Sequence, residues 1–206
     1  MHLGHRSRTV LSCAAATVAA AALSAAPASA LSTPASGCPA VPEVQPFTQW
    51  QDTADYFLAP GGSVEAGPAG WQLQGGARAV EGNEPFRVGG PADHRSLELP
   101  PGSSATTAPM CISVEDRTMR FFDIGPSAGA LTVQALYREP NGTPRTVTLG
   151  SVRNGAAWAP SAVLPMQVNE LAPHSGGKLQ VSLRFTPSGQ RPWRIDDVYV
   201  DPFRFR

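Results

Sequence analysis

Trp193-Arg194-Ile195-Asp196-Asp197-Val198-Tyr199-Val200, followed by Asp201-Pro202-Phe203, is the stretch whose reading decides the fold. Trp, Ile, Val and Tyr favour a pleated surface, and Pro202 stops the run, so 193–200 reads as a β-strand. Strict alternation puts Trp193, Ile195, Asp197 and Tyr199 on one face and Arg194, Asp196, Val198 and Val200 on the other. Both faces carry large apolar groups. That is the pattern of a strand covered on both sides, inside a sheet rather than at a frayed end. Asp196 and Asp197 then need partners, because an uncompensated buried charge costs several kcal/mol. Three partners fit: Ca²⁺, an arginine, or several backbone N–H groups.

Upstream, short apolar runs alternate with Gly and Pro clusters. Candidate strands are 55–59, 70–74, 77–81, 96–99, 110–115, 118–123, 131–138, 145–152, 162–166 and 179–186. Leu179, Val181, Leu183 and Phe185 face one way, against Gln180, Ser182, Arg184 and Thr186. Leu131, Val133, Ala135 and Tyr137 repeat the pattern, the mark of a sheet with one buried face. Asn141-Gly142 lies between 131–138 and 145–152 and predicts a hairpin. With 20 Gly and 21 Pro along the chain, helices longer than two turns are disfavoured, and 167–172 is the single short helix expected. The fold class is therefore all-β: an antiparallel β-sandwich or jelly roll of about ten strands with at most one short helix.

The chain has 206 residues. Residues 1–30 read as an export signal. His5, Arg6 and Arg8 form a positive start, 10–26 is an Ala-rich apolar run, and Ala28-Ser29-Ala30 is a small-residue cleavage site. The apolar run is short for a membrane span and lacks a basic stop-transfer cluster. Residues 31–46, rich in Pro, Ser and Ala, read as an extended arm, and 47–206 as one sandwich domain. Processing at Ala30 predicts a secreted, extracellular protein with no membrane span and a net charge of −2. Such a surface gives no long-range attraction to nucleic acid. Cys13 leaves with the signal, so Cys38 and Cys111 are expected to pair. Cys111 should point away from the core, because Met110, Ile112 and Val114 are the buried set. The arm would then cross the outside of that sheet.

No G-x-S-x-G elbow, HExxH, GxGxxG or Walker loop is present, and no Cys/His cluster suggests a transition-metal site. Glu81 with Glu84, Glu115 with Asp116, and Asp196 with Asp197 are paired carboxylates; such pairs commonly read as solvated turn and strand groups, whereas Asp196 and Asp197 need partners. Neighbours on a strand point to opposite faces and cannot flank one glycosidic bond. Glu65, Asp196 and Asp197, with loop carbonyls, are the candidate ligands for a structural Ca²⁺. Trp50 and Trp158 sit in polar or loop contexts and are the candidate rings for stacking on a sugar, while Trp71 and Trp193 read as core.

Ser63-Val64-Glu65, Gly70-Trp71, Ser96-Leu97-Glu98-Leu99, Met119-Arg120-Phe121-Phe122 and the closing 193–200 strand occur in an order that resembles the galactose-binding-like jelly rolls of carbohydrate-binding modules. The resemblance covers most of the chain after residue 30. It implies a non-catalytic domain that binds a glycan or another cell-envelope component as a monomer. It also implies structural calcium at positions such as Glu65 and Asp196. The arm bearing Cys38 is not part of the usual module, and no catalytic domain accompanies it. The chain also resembles a group of exported proteins from high-GC Gram-positive bacteria, which implies export and no particular activity. Two other readings remain open on the residues alone. One is a structural or protein-interaction domain without a small ligand. The other is a jelly-roll hydrolase acting on a polysaccharide.

Overall fold

The computed structural model describes Met1, residues 38–175 and residues 177–202. Contacts divide the chain into residues 1–30 and residues 31–206, and the architecture below belongs to the second unit. Apart from Met1, the expected export signal, 1–30, and the first part of the arm lie outside the described residues.

Fourteen strands occur among the described residues. In chain order they are β1 (Glu43–Val44), β2 (Tyr56–Leu58), β3 (Gln72–Gln74), β4 (Arg78–Glu81), β5 (Arg95–Leu99), β6 (Ser104–Thr106), β7 (Met110–Ile112), β8 (Asp116–Ile124), β9 (Leu131–Arg138), β10 (Pro144–Val152), β11 (Ala159–Pro160), β12 (Leu164–Pro165), β13 (Leu179–Pro187) and β14 (Trp193–Pro202). One antiparallel sheet runs β1-β2-β14-β5-β4, with β8 on β14 and β11 and β12 on β8; the other runs β10-β9-β13-β6-β3, with β7 on β13. The fold is thus an all-β sandwich. The strands beyond the expected ten are pieces of two or three residues, such as β1, β6 and β11, too short to show a period. The segment expected as a helix at 167–172 is a 3₁₀ segment, Val168–Ser175, and a second 3₁₀ turn occupies Thr48–Trp50.

Alternation decides which residues meet between the sheets. Leu131, Val133, Ala135, Val181, Leu183 and Phe185 from the second sheet pack against Leu97, Leu99, Met119 and Phe121 from the first. The hairpin pairs Arg138 with Pro144 around the Asn141-Gly142 turn, and Arg145 bonds Glu139 across it at 2.8 Å. Phe121 and Phe122 split as adjacent strand residues must. Phe121 enters the main core, and Phe122 enters a second cluster on the outer side of the first sheet, with Phe47, Tyr56 and Tyr199. Segments 47–58 and 84–88 therefore cover a sheet face that would otherwise be apolar and wet.

β14 is the centre of the first sheet. β8 pairs it along one side; on the other, β5 pairs 193–195 and β2 pairs 199–200. The β8 ladder jumps from Asp196↔Phe122 to Tyr199↔Arg120, so β14 has one more residue than its partner across that step. This is a β-bulge, and Asp197 takes a left-handed φ of 48° within it. The bulge corrects the expected faces. Trp193, Ile195, Val198 and Val200 all enter the main core, while Tyr199 joins the outer cluster.

Trp193 lies flat against the main chain of Gly125, whose added Cβ would stand 2.4 Å from the indole ring. Gly125→Ala is expected to cost about 2 kcal/mol through overpacking, measured by urea unfolding. An unchanged midpoint would show that the ring can shift aside.

Cys38 and Cys111 form a disulfide with Cα atoms 5.9 Å apart. Met110 and Ile112 are buried on either side of a half-buried Cys111, so the cysteine faces outward as expected, but Val114, expected in the same buried set, is exposed because β7 ends at Ile112 and the alternation stops there. The arm then joins the first sheet through β1 on β2.

Candidate metal centre and its aromatic rim

The centre forms at the bulge, where the edge of β14 passes from β5 to β2. Main chain from the 59–62 loop fills that gap: Ala59 N–H donates to the Val198 carbonyl at 2.8 Å, and Val198 N–H to the Gly62 carbonyl at 3.2 Å. The extra residue turns the Asp197 side chain out of the ladder. It meets the long loop 82–94, which joins β4 to β5.

Glu84, Asp93 and Asp197 each bring a carboxylate oxygen to within 4.8 Å of the others. All three are buried, at 0%, 6% and 0% exposure, and Asp196 is at 0%. None of the four oxygens of Asp197 and Asp93 makes a hydrogen bond of ordinary geometry among the described residues, although the Gly89 N–H lies toward Asp197 and the Asn83 amide toward Asp93. Asp196 is better served: it accepts the N–H of Asp197 at 2.9 Å and that of Glu84 at 3.4 Å. Glu84 accepts the N–H of Val88 at 2.6 Å and that of Phe86. Burial and the neighbouring carboxylates raise Asp197 to about 8 and Asp196 to about 9. Asp93 is raised to about 6 by burial, the adjoining Glu65 carboxyl and the charges of Glu65 and Glu84.

Glu65 stands beside the trio rather than in it. One oxygen accepts the N–H groups of His94, at 2.9 Å, and Arg95, at 2.6 Å, and the other lies 2.7 Å from His94 Nδ1. It clips the neck of the loop, which is closed by Gly82 N–H donating to the His94 carbonyl at 2.6 Å. Of the expected ligand set, Asp197 lies in the trio and Asp196 borders it. Glu84 and Asp93 complete it, and nothing local in the sequence distinguishes them from solvated loop acids.

The donor set fits a hard cation. The orphaned atoms of Asp93 and Asp197 are all carboxylate oxygens. Ca²⁺ sits 2.3–2.6 Å from such oxygens, so two of its ligands can stand up to about 5 Å apart, as these do. Mg²⁺, at about 2.0–2.1 Å, would need a tighter set. The backbone is also shaped to the site: a Cβ at Gly89 would stand 2.9 Å from Asp93 Oδ2 and 3.5 Å from Asp197 Oδ1. Arginine is not the partner here. Arg194, on the Asp196 face, instead bonds Ser96 Oγ and the carbonyls of Glu81, at 2.7 Å, and Gly82.

The far side of loop 82–94 carries the aromatic rim. Phe86, 37% exposed, packs edge-on against Trp50 at 4.8 Å and tilts over Phe122 at 5.8 Å. Trp50 and Trp158 are both half-buried and both pack on the outer cluster. The Trp158 ring lies 5.8 Å from the Arg194 guanidinium. Trp50 is held from below: Phe47 stacks on Phe122, and Arg120 lies 4.5 Å over Phe47 while bonding Asp52 at 2.7 Å. Burial works against the Asp52 charge, but hydrogen bonds from Tyr56 and Arg120 outweigh it and hold the carboxyl below its ordinary value. Trp71 and Trp193 lie in the main core, as expected.

Among the described residues no helix is long and apolar enough to cross a membrane. No family model and no curated protein matches this chain. Among solved structures, the chain is similar to carbohydrate-binding β-sandwich modules. One is the CBM22-1–GH10 portion of Clostridium thermocellum xylanase Xyn10B, solved with xylohexaose, at 13% identity and TM-score 0.46, covering 68% of this chain and 27% of that one. This chain therefore spans about a quarter of that xylanase chain. A second is the xylan-binding CBM22-1 domain of Paenibacillus barcinonensis Xyn10C, at 10% identity and TM-score 0.41, covering 64% and 85%. A third is TmCBM61, solved with β-1,4-galactotriose, at 15% identity and TM-score 0.41, covering 72% and 98%.

Proposed function

We propose that this chain is an exported, monomeric, non-catalytic glycan-binding domain whose fold is completed by a structural Ca²⁺ at Glu84, Asp93 and Asp197, with Asp196 supporting. The observation that carries the binding role is the rim on one side of the first sheet. Trp50 against Phe86, and Trp158 against Arg194, put partly open aromatic surface beside a guanidinium. A flat ring matches the apolar face of a pyranose, and donors at its edge hold the hydroxyls. The cation supplies charge that lets four carboxyl groups share a dry site; the chemistry of recognition belongs to the rim. A hydrolase reading has no support in this centre, because its carboxylates face one another inside a closed site and do not flank a cleft.

The test is a glycan array followed by calorimetry with soluble xylan and β-1,4-galactan oligosaccharides. Trp50→Ala and Trp158→Ala should each weaken binding about tenfold, the equivalent of one lost stacking contact. If no glycan is retained, or both variants bind as well as the parent, the reading fails.

One observation favours a second reading, a protein-interaction domain. A groove of about 720 Å³ lies between the arm and β7, lined by Pro39, Val41, Phe57, Met110 and Val114. Val41 and Val114 are 42% and 46% exposed there. A partner that bound this groove would be competed away by Val114→Asp and not by the tryptophan variants.

A further inference from the structure

We infer that occupancy of the Glu84/Asp93/Asp197 centre sets the conformation of loop 82–94, and so switches the Phe86–Trp50 surface between an assembled and an open form. The inference rests on the reading of that centre as a cation site and is independent of any glycan. Loop 82–94 is anchored at its neck whatever the centre holds. Gly82 bonds His94, Glu65 clips His94 and Arg95, and Arg194 bonds the carbonyls of Glu81 and Gly82.

Beyond the neck, the polar hold of the loop on the sheet runs through the centre. Glu84 and Asp93 belong to the loop, and Asp197 belongs to β14, so the ion would join two elements whose facing side chains here are like-charged carboxylates, with the Glu84 N–H bond to Asp196 at 3.4 Å beside them. Glu84 has a double task. Its two oxygens accept the N–H groups of Phe86 and Val88, and the same carboxylate faces Asp93 and Asp197. Turning Glu84 away from Asp197 therefore carries residues 86 and 88 with it. Phe86 rests on Trp50 and Phe122, and Val88 on the outer cluster, so the rim loses one wall when the centre is bare. Linkage is reciprocal: a ligand that binds only the assembled rim must tighten the cation by the same factor.

The experiment uses the whole chain from Leu31, with Ca²⁺ itself as the probe. Calorimetry establishes binding, and hydrogen exchange then follows the amides of Phe86 and Val88 in Ca²⁺ and in chelator. Exchange there should quicken at least tenfold in chelator, while amides of β9 and β13 keep their rates. Trp50 emission should change between the two buffers, and that change should vanish in Phe86→Ala. Asp197→Asn should remove the difference between buffers; Asp93→Asn, on the loop rather than in the sheet, serves if that variant does not fold. Binding heat with identical exchange at Phe86 and Val88 would overturn the inference and leave the cation site standing. No heat and no change in exchange would overturn both.

Discussion

Stripping divalent cations from the protein at pH 8 is expected to lower its melting temperature by about 10 °C, and added Ca²⁺ to restore it. A ligand at about a thousand times its dissociation constant stabilises the folded state by about 4 kcal/mol, and a domain of this size shifts about 2–4 °C per kcal/mol. The dependence on pH follows from the carboxyl groups. In the cation-free protein, burial and neighbouring charge raise Asp93 to about 6, Asp197 to about 8 and Asp196 to about 9. The unfolded chain titrates them near 3.9. A raised folded value means stability that is full below about pH 4 and is lost as pH climbs through 6, 8 and 9. The cation-free protein should therefore melt higher at pH 5 than at pH 8, and the gain from Ca²⁺ should widen over that interval. Binding should release protons, seen as heats that depend on the buffer. Asp197→Asn should act with opposite signs: it lowers the melting temperature in Ca²⁺, where a ligand is lost, and raises it in chelator, where a repelling charge is removed. Equal melting in both buffers at both pH values would leave these carboxylates with no cation to hold.

Replacing Cys38 and Cys111 together with Ser is expected to cost 2–4 kcal/mol of unfolding free energy. The disulfide spans a separation of 73 residues. Closing a loop of that length in the unfolded chain is worth about 4 kcal/mol in the chain-entropy model. The lower bound reflects the arm. Residues 39–44 are also tied to the fold by the two-residue ladder of β1 on β2. Once unlinked, the arm regains freedom in the folded state and offsets part of the loss. Urea unfolding of the double variant gives the number, and protease cutting before Pro46 should quicken with it. A loss under about 0.5 kcal/mol would mean that the unfolded chain is already compact around this pair.

Much of the sandwich was legible because a sheet with one wet face writes a period of two into its residues. Leu131 to Arg138 and Leu179 to Thr186 show that period, and both run as strands in the second sheet with the expected residues inward. The coverage of both sides of 193–200 was legible in its mixed composition, and the cysteine pair followed from there being two left after residue 30. What lay beyond reach had no local signature. β1, β6 and β11 are held by neighbours distant in sequence. Trp50 and Trp158 read as loop residues, and their common footing on the outer cluster depends on Phe122 and Tyr199 reaching through the sheet.

By itself, then, the sequence determined that this chain pairs strands, hides one face of each long strand, and must find partners for two aspartates near its end. Those follow from side-chain type and spacing, which act over a few residues. The tertiary structure alone decided where the aspartates point and what they meet. One additional residue in β14 reverses the facing of every residue after it, and a period-two reading cannot locate such a bulge. Glu84 and Asp93 lie more than a hundred residues from Asp197 in a loop with no period at all. They reach it because β5 pairs with β14, β4 lies on the far side of β5, and the loop between β4 and β5 folds back over the gap.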